Sequence, residues 1–591
     1  MSSMNLLNDF KDKNFKQLEC MLGKGTLMPF NASNSGSRKL MFGSHLEQHL
    51  ALVDPEVAYI QTGYEKEYGK FSSSLTIIDS DIYVIDKVPK FSKYPKHHYY
   101  MLIADENKKK LDVIERKNYK HITERYGYMF NNETIDFYNK GDYIGKGSII
   151  RKSTAYDEYM LREDGRNLLT CYTASEDTME DGIVISESAA KLLASPLIKR
   201  IPIMINENDI LLNMYGDDKN YKTFPDIGEE TKNGILAAIR VEKKEEILYS
   251  QSWSKLRELF ISDQPYLVYG KVVDINVHPN NIELLNQNEY LGQVKYYYEE
   301  NLRMSYKILE VLAPYVEKGY SMTYELERLY SNCSKIIKGV QYYSEKVYNN
   351  IFMEIVVIED LPVSRCDKIS NRFGGKGVTS VVKPNDMMPR TKDGKIFDVQ
   401  LNMCGVYGRE NLGQLIEISF SYMSIKLIEF FQESMFDVGQ CVEYYLRFLK
   451  IVAPKFHDYV ENRLEGLSDE ELFNFIMSIM NDKSLYLIIE PMTENPSIDI
   501  ILKLYEEFPF IKPERILEPI VNSKGDIRYV ESRRPLVYGY QYFYRLKQYA
   551  EEKFSVTSLS STNIRNENTK NKASNNYKAL FSRTPIRFGV A

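Results

Sequence analysis

No apolar run in the sequence approaches the ~20 residues that a membrane-crossing helix needs. The start, MSSMNLLNDFKDKNF, has neither the apolar stretch nor the small-residue cleavage site of a signal peptide. Cysteine is scarce: Cys20, Cys171, Cys333, Cys366, Cys404 and Cys441 stand far apart, with no C-x-x-C and no Cys/His pair at zinc spacing. They read as reduced thiols, and no zinc is expected. Positive charge is not in excess, since 76 Lys+Arg against 82 Asp+Glu leave a net charge of −6, whereas domains that hold nucleic acid by bulk electrostatics are usually strongly basic. Local patches must carry any such role. Fixed-period repeats and long low-complexity blocks are missing too, which leaves solenoids and propellers without support. What is there is an ordinary globular composition, 43% hydrophobic and 27% charged over 591 residues, enough for about four domains. One Trp beside 46 Tyr, with many Asn, Lys and Ile, matches AT-rich coding.

Short β-rich runs such as SLTIIDSDIYVID and EDGIVISE, separated by Gly, Asn and Lys turns, mark about 50–190 as β-dominated. Between about 280 and 350, apolar residues at three- and four-residue steps (Leu302, Tyr306, Leu309, Leu312) predict helices inserted between two β segments. Strand signal returns at FMEIVVIEDL, and a helix is expected from about 412 through Leu415, Ser419, Met423 and Leu427. Ser468-x-x-Glu471 has the capping-box spacing that opens a helix. The composition of residues 558–582, rich in Asn, Ser and Lys, predicts a mobile loop. The chain reads as mixed α/β and multidomain.

The densest chemical signal is DKISNRFGGKGVTSVV, residues 367–382, where Lys368, Arg372 and Lys376 surround Gly374, Gly375 and Gly377. Glycines let a backbone approach a ligand closely, and Lys and Arg offer charge to phosphates. It is not a Walker loop, because that spacing is absent here and at GDYIGKGS. On residue types alone the commoner reading is a surface hairpin with solvated lysines. In GVYGRENLGQ, 405–414, Asn411 can cap the following helix and place Arg409 beside its positive end, an anion site or an ordinary loop. In TMEDGIVISE, Glu180 and Asp181 lead into a strand and could meet Mg²⁺ directly or through water, or be a turn acid and an edge charge. SGSRKLMFGSHLEQH, 35–49, puts Ser44, His45, Glu47 and Gln48 on an expected helix. Tyr215-Gly216-Asp217-Asp218 copies the metal turn of palm-type polymerases, but no clear return strand follows. KFSKYPKHHYY, 90–100, mixes cations and aromatics as single-strand binders do, and as a solvated edge strand does.

In order and separation these clusters resemble the C-terminal half of the β subunit of multisubunit DNA-dependent RNA polymerase, from about residue 25 to 589. TLMPFNASNSGSRKLM resembles the family's approach to the active-site floor, AYIQTGYE its threonine-glycine turn and MEDGIVISE its acidic pair. DKISNRFGGKG resembles the two-lysine turn, GVYGRENLGQLIE the arginine loop and helix, LVYGYQYFYRLKQYAEEKF the helix near the end, and RTPIRFG the final Arg-Phe-Gly. The resemblance implies that Lys368 and Lys376 contact the RNA 3′ end and the reacting phosphates, and that Arg409 and Arg38 hold the nucleotide's triphosphate. It implies that Glu180 and Asp181 lie near a second, nucleotide-borne Mg²⁺, usually through water. It places Arg372, Gln48, Lys553, Gly374 and Gly375 near nucleic acid. Departures are Phe373-Gly374-Gly375 where the family has His-Gly-Asn, Gly408 in place of a serine, and Glu47 in place of a common arginine.

The resemblance further implies a core with a double-psi β-barrel, with its first part at 1–190 and its second at 351–420. It implies a flap-like excursion at 195–350, a helical C-terminal region at 421–530 and a switch or anchor segment at 531–591. Catalytic Mg²⁺ would be held mainly by a β′-like partner, since no Asp-x-Asp-Gly-Asp run occurs here, so this chain alone should be inactive. The match begins midway through a typical β subunit and stops two residues after Arg587-Phe588-Gly589, so an N-terminal β-like chain is expected as a further partner. Such splitting, with AT-rich usage, resembles giant-bacteriophage polymerases, working in the cytoplasm of an infected bacterium with DNA template, RNA, NTPs and a promoter-specificity subunit, and no membrane. The competing readings are a non-catalytic assembly protein that keeps the β fold and a palm-type polymerase.

Overall fold

The computed structural model describes residues 22–69, 74–122, 125–207, 209–217, 220–242, 261–280, 282–339, 350–433, 437–491, 498–522 and 524–548, with short strands Ser555–Val556 and Ala579–Leu580. The chain forms two units, Met1–Ser72 with Ala155–Ser195 and Leu361–Ala591, and Ser73–Thr154 with Pro196–Asp360. The expected first core segment, 1–190, is shared between them.

At the centre of the first unit six strands close a barrel: β1 (Arg166–Tyr172), β2 (Gly182–Ser186), β3 (Lys368–Asn371), β4 (Lys376–Lys383), β5 (Val399–Leu401) and β6 (Tyr538–Arg545). The order around the barrel is β1-β5-β2-β4-β3-β6. Pairs β1–β5 and β2–β4 are parallel and the rest antiparallel. Leu168, Ile183, Ile185, Ile369, Val399 and Phe543 share one buried cluster, because side chains alternate along a strand and one parity faces in. The helix expected within 536–554 is instead strand β6. Tyr538, Tyr540, Tyr542 and Tyr544 fall at period two, and β6 pairs with both β1 and β3.

Helices α1 (Gly36–Glu47), α2 (Met403–Tyr407), α3 (Gly413–Glu433), α4 (Val438–Val452), α5 (Pro454–Leu464), α6 (Asp469–Asn481) and α7 (Ile498–Glu507) belong to the same unit. On α1, Phe42, His45 and Leu46 form the buried face at three- and four-residue spacing. In α3, 15 of 21 residues are buried, as expected of a helix apolar nearly all round. It lies along β6, where the Tyr540 N–H donates to Ser421 Oγ at 2.8 Å. A side chain at Gly539 would meet the Ile418 carbonyl oxygen at 2.7 Å. Phe420, Phe431, Phe448, Phe456, Phe475 and Phe508 fill the core beneath, each worth roughly 1.5–3 kcal/mol of burial. Ser468 and Glu471 form the expected capping box at α6. A hairpin, Leu517–Val521 with Ile527–Glu531, interrupts the region expected to be helical.

The second unit carries an antiparallel meander of Ile82–Pro89, Tyr99–Asp105 and Lys110–Arg116 and the helices Gly292–Glu317 and Tyr324–Ile337. KFSKYPKHHYY is not a solvated edge, since Tyr99 and Tyr100 open a strand paired on both sides. Lys90 Nζ donates to Asp274 Oδ1 and Asn276 Oδ1, both at 2.6 Å. His98, buried, pairs with Glu115 at 3.0 Å. Tyr215–Asp217 lies in a loop, with no strand between 212 and 217, so the palm hairpin is not formed; Asp218 is outside the described residues. No helix among the described residues is long and apolar enough to cross a membrane.

Candidate functional site

Strands β3 and β4 are the two arms of a hairpin whose turn is Arg372–Gly375, with Ser370 opposite Lys376 and Lys368 opposite Val378. Opposed residues and residues two apart share a face. Lys368, Ser370 and Lys376 therefore stand on the outside of the barrel while Ile369 points into it. Helix α1 covers that outer face. His45 Nδ1 lies 2.9 Å from Ser370 Oγ, Lys376 Nζ donates to Gln48 Oε1 at 3.2 Å, and Arg38 Nη1 donates to the Gly374 carbonyl at 3.1 Å. Burial, Lys376 and Arg38 together pull the His45 pKa down to about 4, so the imidazole is neutral beside two cations.

Gly374 sits at φ +67°, and a Cβ on it would lie 2.8 Å from the Arg38 carbonyl oxygen. The turn is therefore closed by backbone approach that only glycine permits. Within it Asn371 Oδ1 accepts from the Phe373 and Gly375 N–H groups, both at 3.0 Å. The Asn371 amide thus holds the turn closed from the end of β3.

A cleft beside this hairpin is lined by Glu180, Asp181, Gly375, Lys376, Asn402 and Arg409. Glu180, at φ +51°, and Asp181 form the tight turn before β2. The Val378 N–H donates to the Asp181 carbonyl at 3.0 Å, which fastens that turn to β4. Arg409, in the loop between α2 and α3, pairs with the Asp181 carboxylate. Burial and the nearby Arg38 pull the Arg409 pKa down, against a smaller upward pull from Glu180. Three separate segments thus bring cations and carboxylates to one opening, an arrangement suited to a phosphorylated ligand.

Several expectations change. Asn411 does not cap α3 with its side chain; the Gly413 N–H donates to Asn34 Oδ1 at 3.2 Å. Arg372 is 3% exposed, paired with Glu417 and stacked 5.3 Å from the Tyr542 ring centroid. Its guanidinium is part of the core. Glu47 reverses less charge than expected, since Lys24 pairs with it. Lys553 lies outside the described residues. The sequence reading missed Asn371 and Gln414; an Asn closing a glycine-rich turn was the available signal. Among the described residues, the only three His, Cys, Asp or Glu side chains close enough to share an ion are His457, Asp458 and Glu461 on α5. Glu180 and Asp181 make no such set; both are exposed, and the Asp181 carboxylate is already paired with Arg409.

A family model described as RNA polymerase Rpb2, domain 6, matches residues 150–466, just over half of the chain. The chain is also similar to DNA-directed RNA polymerase subunit beta of Euglena longa, 27% identical over 71% of this chain and 36% of the relative. It is similar to that of Mycoplasmopsis synoviae (strain 53), 22% identical over 84% and 35%, and to that of Phytoplasma australiense, 27% identical over 66% and 28%. The chain spans about a third of the length of the curated relatives it matches.

Proposed function

Because the chain belongs to the family of RNA polymerase Rpb2, domain 6, we propose that it is the C-terminal β-like part of a multisubunit DNA-dependent RNA polymerase. The observation that carries this reading is the cleft where Lys376, Arg409, Glu180 and Asp181 converge, with Arg38 and Gln48 bonded to the same hairpin. Lys368 and Lys376 meet the RNA 3′ end and the reacting phosphates, Arg38 and Arg409 the triphosphate. Gly374 and Gly375 allow close backbone approach, and Gln48 and Lys553 are assigned to contact with nucleic acid. Growing charge on the phosphoryl oxygens, as the RNA 3′ hydroxyl gives up its proton, attacks the α-phosphate and expels pyrophosphate, is met by preorganised cations. Mg²⁺ supplies a Lewis acid when bound. Glu180 and Asp181 would face it through water, and its direct ligands would come from a β′-like partner bearing aspartates.

The closed barrel is read as a double-psi barrel, a reading supported by its two parallel pairs among antiparallel ones. Further partners are an N-terminal β-like chain and a promoter-specificity subunit. The giant-bacteriophage reading places the enzyme in the infected host's cytoplasm, and the composition, 46 Tyr beside one Trp, fits the AT-rich coding that goes with it.

The test is co-purification of the tagged chain from its native source, followed by RNA extension on a primed scaffold. Association with a chain bearing Asp-x-Asp-Gly-Asp, and extension that collapses with Lys376→Ala, is expected. A lone inactive protein, or extension untouched by the substitution, would replace this reading with that of a structural assembly protein.

A further inference from the structure

Three buried side-chain amides join the lysine hairpin to the arginine loop. Asn371 Nδ2 donates to Gln414 Oε1 at 2.6 Å, Gln414 Nε2 donates to Asn411 Oδ1 at 2.9 Å, and Asn411 Nδ2 donates to the Phe373 carbonyl at 3.4 Å. The Phe373 N–H returns to Asn371 Oδ1 at 3.0 Å, which closes a ring. All three residues are at most 4% exposed and border the cleft. The ring has one direction. Two backbone N–H groups occupy Asn371 Oδ1, so its NH₂ must point at Gln414; that orients Gln414, which orients Asn411. No member can flip without setting two oxygens or two NH₂ groups face to face, and buried polar groups left that way are costly.

One end of the ring is a single residue from Lys376, through Gly375, and the other is two residues from Arg409. We infer that Asn371, Gln414 and Asn411 are positioning residues that fix the spacing between Lys376 and Arg409, and so between the RNA 3′ end and the triphosphate. This rests on the polymerase reading for what the two cations hold, but the ring itself does not.

Gln414→Glu tests it, because a carboxylic acid can accept from Asn371 and donate to Asn411, whereas a carboxylate cannot donate. Glu180, Asp181, Lys376 and Arg409 are the charged groups that share the cleft with position 414, and Glu417 with Arg372 lies one turn along α3. Burial raises a carboxyl pKa, so the variant should match wild type at low pH and fail as pH rises. In the co-purified complex, single-nucleotide addition by Gln414→Glu relative to wild type should fall by roughly tenfold or more between pH 6 and pH 9, with scaffold binding unchanged. Gln414→Leu should show the same loss at every pH. A flat Gln414→Glu to wild-type ratio across pH would overturn the inference. Thermal melting of the full chain separates the two readings: Gln414→Glu should lose melting temperature relative to wild type as pH rises, whether or not the complex extends RNA. If it melts in parallel with wild type, the ring does not have the direction described. If it melts as expected while wild-type complex extends no RNA, the polymerase reading fails and the ring stands.

Discussion

Arg545 Nη2 lies 3.0 Å from Asp367 Oδ2, with the two side chains 0% and 2% exposed, and Asp367 is the residue before Lys368. The same guanidinium donates to the Leu193 and Pro362 carbonyls at 3.2 and 3.1 Å. Asp367 Oδ2 also accepts the Ser364 N–H at 2.9 Å. One buried ion pair thus ties the end of β6 to the base of the lysine hairpin. Arg545→Met should lower stability by about 3–5 kcal/mol, because it leaves a carboxylate buried without its partner. Adding Asp367→Asn should recover part of that loss. Urea midpoints of the full chain measure both, and an unchanged midpoint for the single variant would refute the argument.

His45 carries a second prediction. Its pKa in the folded chain, about 4, lies below the ordinary 6.5 through burial, then Lys376, then Arg38. A base whose folded value is depressed contributes stability fully above pH 6.5 and loses it as pH falls from 6.5 toward 4. His45→Gln, which still offers a partner to Ser370, should flatten the melting temperature across that window. In NMR titration, Lys376→Met should raise the His45 pKa more than Arg38→Met. Equal, unmoved values would show that the two cations do not face the ring.

Asp398 behaves in the opposite sense. Burial raises its pKa to about 6, despite the Leu169 N–H that donates to it at 2.9 Å. A raised carboxyl favours its protonated form in the folded state, so ionisation costs stability progressively from pH 3.8 to 6 and fully above. Asp398→Asn keeps the acceptor and removes the charge. Its melting temperature should exceed wild type at pH 8 and match it near pH 4; a gain of equal size at both values would rule out this cause.

These groups divide sharply by what a sequence reveals. The lysine hairpin, helix α1 and the box at Ser468 are local patterns, set by residues within about ten positions of one another, and they were legible. Strand β6 was misread as a helix on the resemblance, although its tyrosines alternate at period two. Arg372 and Lys90 were not legible, because a cation's burial depends on its partner. Glu417 is 45 residues from Arg372 and Asp274 is 184 from Lys90, separations that no periodicity spans. The cleft falls between these cases. Each of its segments was recognisable alone, but the Arg409–Asp181 pair and the amides behind it follow from barrel closure.

Gly375 gives the last prediction. A Cβ there would lie 2.7 Å from both polar atoms of the Asn371 amide. A free side-chain end could swing aside cheaply, but this one is held by two backbone N–H groups and by Gln414. Gly375→Ala must therefore strain the turn or break the ring, at a cost of about 1–3 kcal/mol. Exchanging the two residues, Asn371→Gly with Gly375→Asn, returns an amide to the same space without the clash, and φ at 375 is not in the left-handed region. The urea midpoint should fall for Gly375→Ala and recover in the exchanged variant, and RNA extension should follow the same order. If Gly375→Ala is neutral in both measurements, the amide at 371 does not occupy the space that its contacts indicate.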